Sequence, residues 1–344
     1  MRAVVLEAPE TLRVDDRPSP TPGPGEVLVD IITTGICGTD LSIYAGKIPV
    51  RHPLVMGHEM FGRISAGDAR DTSATSKGGA RVIVDPAISC GSCHVCSKGQ
   101  VNLCPEGALL GRDRDGGFRQ TVAVPISNVY EVPDGIADAV APLLQVLTTC
   151  THAQRSAPLF PGDSALVIGL GVSGLLHLQL AKARGAKPLI GITRSSSKRA
   201  LARQLGADLT LNPADPELAD RVREATNGRG PDVVIECVGK VETLAQAIEL
   251  TRTGGRVVLF GTITADRGAL PFYLLYLKEV TLTNPRAAKP EDFPTAIELV
   301  SSGAVKLEPL VSHVYPLAAT QEAIDTVRSG EALKVMLDHV RDRQ

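Results

Sequence analysis

The sequence predicts an α/β fold in which a β-rich domain, split along the chain, carries an inserted doubly wound parallel sheet. Three observations carry this reading. Short β-branched runs bounded by Pro and Gly fill the first third. After about residue 140, apolar strands alternate with helical runs. Beyond about residue 284 the pattern returns to helix and loop, then to a closing strand near Lys334 to Leu337.

In the first third, residues 27–32 and 81–84 read as strands, and Thr21-Pro22-Gly23-Pro24-Gly25 as a turn cluster. Residues 68–79, polar and small, read as a mobile hairpin connection. In the middle, 164–168 is an apolar strand, and Gly169-Leu170-Gly171-Val172-Ser173-Gly174 opens a helical run to residue 184. A second strand spans 188–192 and a second helix 197–205. Further strands are expected at 231–236 and 255–260, with a helix around 243–251 between them. This organisation places the first part of the split domain at 1–145, the inserted domain at 146–284 and the return at 285–344.

Length and charge exclude several classes. A chain of 344 residues is long enough for two cores. With 36 basic and 38 acidic residues the net charge is −2, so no global field favours nucleic acid or an anionic membrane. The N-terminus runs at once into Glu7 and Pro9, unlike a signal peptide, and the apolar stretches are too short to span a bilayer. Seven cysteines, four of them clustered, suit a reducing cytoplasm. The expected partner is a small molecule, with no nucleic acid and no membrane.

The clustered cysteines are Cys90, Cys93, Cys96 and Cys104, spaced C-x2-C-x2-C-x7-C, in a lobe of about 88–106. Four thiolates complete a tetrahedral zinc shell with no open position, which describes a structural site. An iron–sulfur run is the competing reading, but its last two cysteines are normally three residues apart. A second metal site is suggested by Cys37 and His58 with Glu59 alongside. One thiolate, one imidazole and a carboxylate can hold zinc while leaving room for substrate.

The glycine-rich turn follows a strand and precedes a helix, the context that makes it a dinucleotide site. Gly169 permits the tight turn, Gly171 lets backbone approach a pyrophosphate, and Gly174 allows close helix–strand packing. Val172 then begins a helix whose free N–H groups face the phosphates. At the end of the second strand, NAD would require an acidic residue. The sequence offers Thr193, Arg194, Ser195, Lys198 and Arg199 instead. Cations and hydroxyls there bind a 2′-phosphate by charge-assisted hydrogen bonds. NADP is therefore expected, with NAD as the alternative.

Taken in order, these segments resemble the zinc-dependent alcohol and polyol dehydrogenases of the medium-chain dehydrogenase/reductase superfamily. The resemblance extends to Asp115-Gly116-Gly117-Phe118 and Thr253-Gly254-Gly255-Arg256. It implies a GroES-like catalytic domain, a Rossmann cofactor domain and an active-site cleft between them. It further implies two zinc ions per chain, a homodimer or homotetramer, and hydride transfer between a nicotinamide and a secondary alcohol, polyol or sugar, or the corresponding ketone. Cys37 and His58 become catalytic zinc ligands, Glu59 a ligand or close partner, and the four cysteines the structural site. Thr39 falls where a hydroxyl usually touches the alcohol and starts a proton relay.

Two departures from the family pattern matter. Gln145 stands where relatives place a Cys, Asp or Glu ligand, and Ser42 stands where many place a proton-passing histidine. Competing readings are a zinc-free quinone or enoyl reductase, a zinc-ribbon nucleic-acid binder, and a non-catalytic binding protein retaining the fold. Leu41, Ile43, Ile48 and Leu144 are candidate lining for an apolar pocket. Cys150 and Cys237 read as small buried hydrophobes, and Asp232 and Glu236 as structural carboxylates.

Overall fold

A computed structural model describes residues 1–66 and 79–340. Its contacts divide the chain into two compact units: Met1–Thr148, Lys289–Ser301 and Leu307–Gln344 form the first, Thr149–Ala288 and Ser302–Lys306 the second. The brief return at 302–306 has a local cause. Lys306 N donates to Gln179 Oε1 at 2.8 Å, and Gln179 Nε2 donates to the Lys306 carbonyl at 3.1 Å. Apart from Gly79, the expected loop at 68–79 lies outside the described residues.

The first unit opens with strands β1 (Arg2–Ala8), β2 (Thr11–Asp16) and β3 (Glu26–Gly35) and helix α1 (Gly38–Tyr44). Strands β4 (Leu54–Val55), β5 (Glu59–Ala66), β6 (Arg81–Val84) and β7 (Ala87–Ile88) follow. After them come β8 (Ala108–Leu109), β9 (Thr121–Pro125), β10 (Val129–Glu131) and helix α2 (Leu143–Ser156), which belongs to this unit as far as Thr148 and to the second from there on. β3 alternates inward and outward at period two. Val27, Val29 and Ile31 thus join Met60, Ile64, Val82, Val84, Val122 and Val124 in one apolar cluster. Leu41 and Ile48 pack against a second cluster that contains Ile43. Ile43 and Leu144 are completely buried, which corrects the expectation that either lines a pocket.

In the second unit, β11 (Ala165–Ile168), α3 (Val172–Ala183), β12 (Leu189–Ile192), α4 (Ser196–Gln204), β13 (Leu209–Leu211) and α5 (Leu218–Ala225) alternate. They continue as β14 (Val233–Glu236), α6 (Val241–Leu250), β15 (Arg256–Leu259), α7 (Phe272–Lys278) and β16 (Thr281–Thr283). All neighbouring strands are parallel, in the order β13-β12-β11-β14-β15-β16. Every residue of β11, β12 and β14 is buried, as sheets covered on both faces require. The strand order reverses between β11 and β14, and ligands of such sheets bind beyond the carboxyl ends at that point.

Below the sheet's other end, Asp232 ties two strand entrances together. It accepts from Ser164 N at 2.8 Å and Ser164 Oγ at 2.6 Å and pairs with Arg252 Nε at 2.5 Å. The structural reading of this carboxylate fits that network.

Beyond these elements lie α8 (Asp292–Ser301), β17 (His313–Pro316), α9 (Thr320–Ser329) and β18 (Val335–Asp338). The sheet they complete runs β10-β6-β5-β3-β18-β17, with β9 also paired to β3. The last strand is therefore interior: β18 is antiparallel to β3, with Met336 opposite Gly35, and parallel to β17.

Asp85 is a buried carboxylic group of this unit, accepting from Ala87 N at 2.9 Å. Burial pushes it up to about 7; the Ala87 N–H opposes the rise and Asp292 adds to it. The folded value thus lies above the unfolded one, about 3.9. Its stabilisation is full below the unfolded value and lost as pH rises through 7. Asp85→Asn keeps the acceptor and removes the titration. Relative to wild type it is expected to gain on the order of 2–4 kcal/mol between about pH 4 and pH 8, as urea unfolding at both values would show.

Candidate metal centres and dinucleotide site

Cys37, His58 and Glu59 converge in the first unit. Their thiol, imidazole and carboxylate atoms lie within 4.8 Å of one another. Cys37 is the N-cap of α1 and reaches the site because β3 ends at Gly35. Its N–H donates to Asp40 Oδ2 at 2.8 Å, and the Asp40 N–H donates to the Cys37 carbonyl at 3.0 Å. Asp40 Oδ1 also stands 3.3 Å from His58 Nδ1. This carboxylate is completely buried, and sequence reasoning assigned it no role. Its position three residues after the N-cap is the signal that could have identified it.

Burial alone would lower the His58 imidazole, but Asp40 and Cys37 outweigh it and hold the ring well above its ordinary value. Glu59 is 1% exposed, and its Oε1 has no hydrogen-bond partner among the described residues. A soft thiolate, an imidazole and a buried carboxylate oxygen with spare lone pairs fit a divalent zinc-type ion.

The His58 segment is braced from behind. Gly57 adopts φ +92°, and a Cβ there would strike the Phe118 ring. Gly116 N donates to the Val55 carbonyl at 2.7 Å, Gly117 N to the Gly57 carbonyl at 2.8 Å and Phe118 N to the Met56 carbonyl at 2.9 Å. Asp115 Oδ1 accepts from Val55 N at 3.0 Å. The Asp115-Gly116-Gly117-Phe118 run thus acts as a short backbone splint that aims His58 and Glu59.

Among the remaining expected residues, Thr39 Oγ1 lies 3.9 Å from Cys37 Sγ. Ser42 donates its hydroxyl to the Gly38 carbonyl at 3.1 Å, within its own helix. Gln145 is half-buried on α2, and its backbone carbonyl accepts from Thr148 Oγ1 at 2.6 Å.

Cys90, Cys93, Cys96 and Cys104 form a second cluster, also within 4.8 Å. Cys93 Sγ lies 3.9 Å and Cys90 Sγ 3.6 Å from Cys104 Sγ. Four zinc–sulfur bonds of about 2.3 Å place sulfurs roughly 3.8 Å apart in a tetrahedron, whereas a disulfide needs about 2.05 Å. The N–H groups of Ser92 and Cys93 lower the Cys90 thiol to about 6, favouring the thiolate form that ligates.

In the second unit, Gly169 ends β11 at φ +90°, where a side chain would meet Val238, and a Cβ on Gly174 would collide with the Gly169 carbonyl. Around Gly171 there is open space, and no side chain caps α3, which begins at Val172. The uncapped helix N-terminus is a fit for phosphate. At the end of β12, Ser195 caps α4 by accepting from Lys198 N at 3.3 Å. Arg194 is exposed, and neither it nor Lys198 has an ion-pair partner among the described residues. Arg199 differs: its Nη1 donates to the carbonyls of Thr193 and Arg194, each at 2.7 Å. It braces the strand end.

Glu236 fixes the neighbouring turn by accepting from Val238 N at 2.7 Å, Gly239 N at 3.0 Å and Thr243 Oγ1 at 2.8 Å. Cys150 is completely buried, and Cys237 is half-buried.

Comparison with known proteins agrees with this geometry. Residues 23–134 match the alcohol dehydrogenase GroES-like domain, and 173–302 match the zinc-binding dehydrogenase family. A sorbitol dehydrogenase from Halalkalibacterium halodurans is 32% identical over 326 residues, 94% of each chain. A zinc-binding dehydrogenase from Sinorhizobium meliloti 1021, solved bound to NADP, superposes with a TM-score of 0.92 at 32% identity, covering 98% of each chain. The rspB protein of Escherichia coli CFT073, solved with NADH, has a TM-score of 0.91 at 31% identity, covering 98% and 99% of the two chains.

Asp40→Ala removes the carboxylate shared by Cys37 and His58. Such outer partners typically cost 10–100-fold in metal affinity, and a loss of that size is expected for the Cys37/His58 centre. Competition with a chelator would measure it, with the four-cysteine centre as an internal control that should not move.

Proposed function

The chain belongs to the zinc-dependent alcohol and polyol dehydrogenases of the medium-chain dehydrogenase/reductase superfamily, and on that premise we propose which residues carry its chemistry. It is an oxidoreductase of the NAD(P)-dependent zinc type. The observation that carries the proposal is the convergence of Cys37, His58 and Glu59 from two separate segments. We assign a catalytic zinc to Cys37 and His58, with Gln145 as a neutral further ligand or Glu59 in its place. A closed structural zinc belongs to Cys90, Cys93, Cys96 and Cys104, making two per chain. The substrate class is a secondary alcohol, polyol or sugar and the matching ketone.

When bound, the metal supplies Lewis acidity to a substrate oxygen, and the nicotinamide accepts or returns the hydride. The protein's own part is placement and proton movement. Thr39 Oγ1, beside Cys37, receives the alcohol proton while releasing its own hydroxyl proton outward, so that it stays neutral. Ser42 cannot store that proton as a histidine would, so its oxygen passes it on through water. Asp40 keeps His58 and Cys37 in register.

Gly169, Gly171, Val172 and Gly174 hold the dinucleotide, and Arg194, Ser195 and Lys198 favour the 2′-phosphate of NADP, with Thr193 in the place of an NAD-selecting acid. Phe272, Tyr273, Tyr276 and Leu277 on α7 and Leu282 on edge strand β16 are exposed. Such a patch supports a homodimer or homotetramer. No helix among the described residues is long and apolar enough to cross a membrane. The cysteine usage supports a cytoplasmic setting.

A panel of alcohols, polyols and ketones with both cofactors tests the activity. Elemental analysis of chelator-free protein should approach two zinc equivalents. His58→Ala should abolish turnover with little change in melting temperature, whereas Cys93→Ala should lower the melting temperature because a closed shell contributes folding free energy. Equal destabilisation by both would refute this division of roles.

For the cofactor, Thr193→Asp with Arg194→Ala removes one charged hydrogen bond, typically worth ~1.5–3 kcal/mol. The KM for NADP should rise at least about tenfold, with better use of NAD and a smaller change in kcat. A wild-type enzyme that already prefers NAD would refute the assignment.

A further inference from the structure

Glu236 is a completely buried carboxylate at the carboxyl end of β14. Its Oε1 accepts from Val238 N at 2.7 Å, Gly239 N at 3.0 Å and Thr243 Oγ1 at 2.8 Å, and its Oε2 from Gly239 N at 3.1 Å. Donors at both oxygens suit the ionised, acceptor-only form. It has no ion-pair partner among the described residues, and Lys240, the nearest cation along the chain, is exposed.

The same residue also holds the exit of the next strand. Its carbonyl accepts from Phe260 N at 2.9 Å and Gly261 N at 2.8 Å. Glycine lets the two turns interlock. A Cβ on Gly239 would stand 2.7 Å from the Thr262 carbonyl oxygen, and one on Gly261 would lie 2.8 Å from Glu236 Oε2 and closer still to Gly239 N.

Position gives this charge a use. Strand order reverses between β11 and β14, and such sheets bind a dinucleotide across that point, one nucleotide on each half. The residues assigned to the 2′-phosphate follow β12, and the glycine turn assigned to the pyrophosphate follows β11. The nicotinamide nucleotide therefore falls to the β14–β15 half, whose exits are the two turns that Glu236 joins. A buried charge without a counter-ion is costly, and a neutral acceptor could hold those turns. The nicotinamide ring is cationic when oxidised and neutral when reduced.

We propose that Glu236 is a positioning residue for the nicotinamide nucleotide, and that its buried negative charge favours the oxidised ring over the reduced one. The preference shifts the balance on the protein toward carbonyl reduction. This inference rests on the dinucleotide assignment and deepens it.

Calorimetric titration of the full chain with oxidised and reduced NADP, and with the NAD pair, gives the ratio of dissociation constants that tests it. Glu236→Gln keeps an acceptor for the three donors at Oε1 and removes the charge. It should weaken the oxidised form about three- to tenfold more than the reduced, the effect of one partly screened unit charge. Thr243→Lys sets an ammonium against an intact Glu236 and should discriminate in the same direction, an arm that stands if Glu236→Gln fails to fold. Thr243→Val removes one hydrogen bond and no charge, and should change both forms alike.

Equal weakening of both forms in either folded charge variant would overturn the proposal, as would a Thr243→Val variant that discriminates as strongly as Thr243→Lys. A wild-type protein that takes up neither form would overturn the dinucleotide assignment itself, and this inference with it.

Discussion

Asp40 joins two segments of the first unit through one completely buried side chain: one oxygen accepts the Cys37 amide, the other faces His58 Nδ1. A buried carboxylate with partners on two sides tolerates little displacement, because losing either leaves charge without compensation. The rest of the arrangement follows from that constraint. α1 must start just after Cys37, its N-cap, for its third residue to reach back, and β5 must start at Glu59 so that His58 sits just before the strand. The Gly57 turn must be tight enough to fit under Phe118.

The second unit meets a different requirement with backbone rather than charge. Its glycine turn before α3 has no side-chain cap, so it is shaped from outside. Val238 closes against Gly169, and Glu236 holds the Val238 turn by three donors. Arg199 does the same at the end of β12, where two carbonyls converge on its guanidinium. Arg194, by contrast, is exposed, and Lys198 is half-buried.

Legibility in the sequence followed the range of each interaction. The C-x2-C-x2-C-x7-C lobe and the glycine turn are local: every participant lies within a few residues, so spacing alone reveals them. The strands of the parallel sheet were legible for a related reason, since burial on both faces makes each a continuous apolar run. Boundaries moved by one or two residues where a Ser or Pro at a strand's start stays outside the ladder. Asp40 was visible but silent, because its role depends on His58, eighteen positions later. The ion pair of Lys334 with Glu59 was beyond reach, since only the pairing of β18 with β3 brings the two together. The short β4, β13 and β16 carry too few residues to show a period.

The interior position of β18 has a consequence for how the molecule is made. The inserted unit has every strand of its sheet by residue 283, so it can fold while the chain is still being synthesised. The first unit cannot. Its central strand β3, complete at residue 35, keeps the end nearest Cys37 open on one side until residues 335–338 have left the ribosome. During that interval the Glu59 carboxylate has no ammonium opposite it, and the edge of β3 is exposed to pairing with other chains. Closure of the sheet is thus a late event, separated from Cys37 by most of the polypeptide.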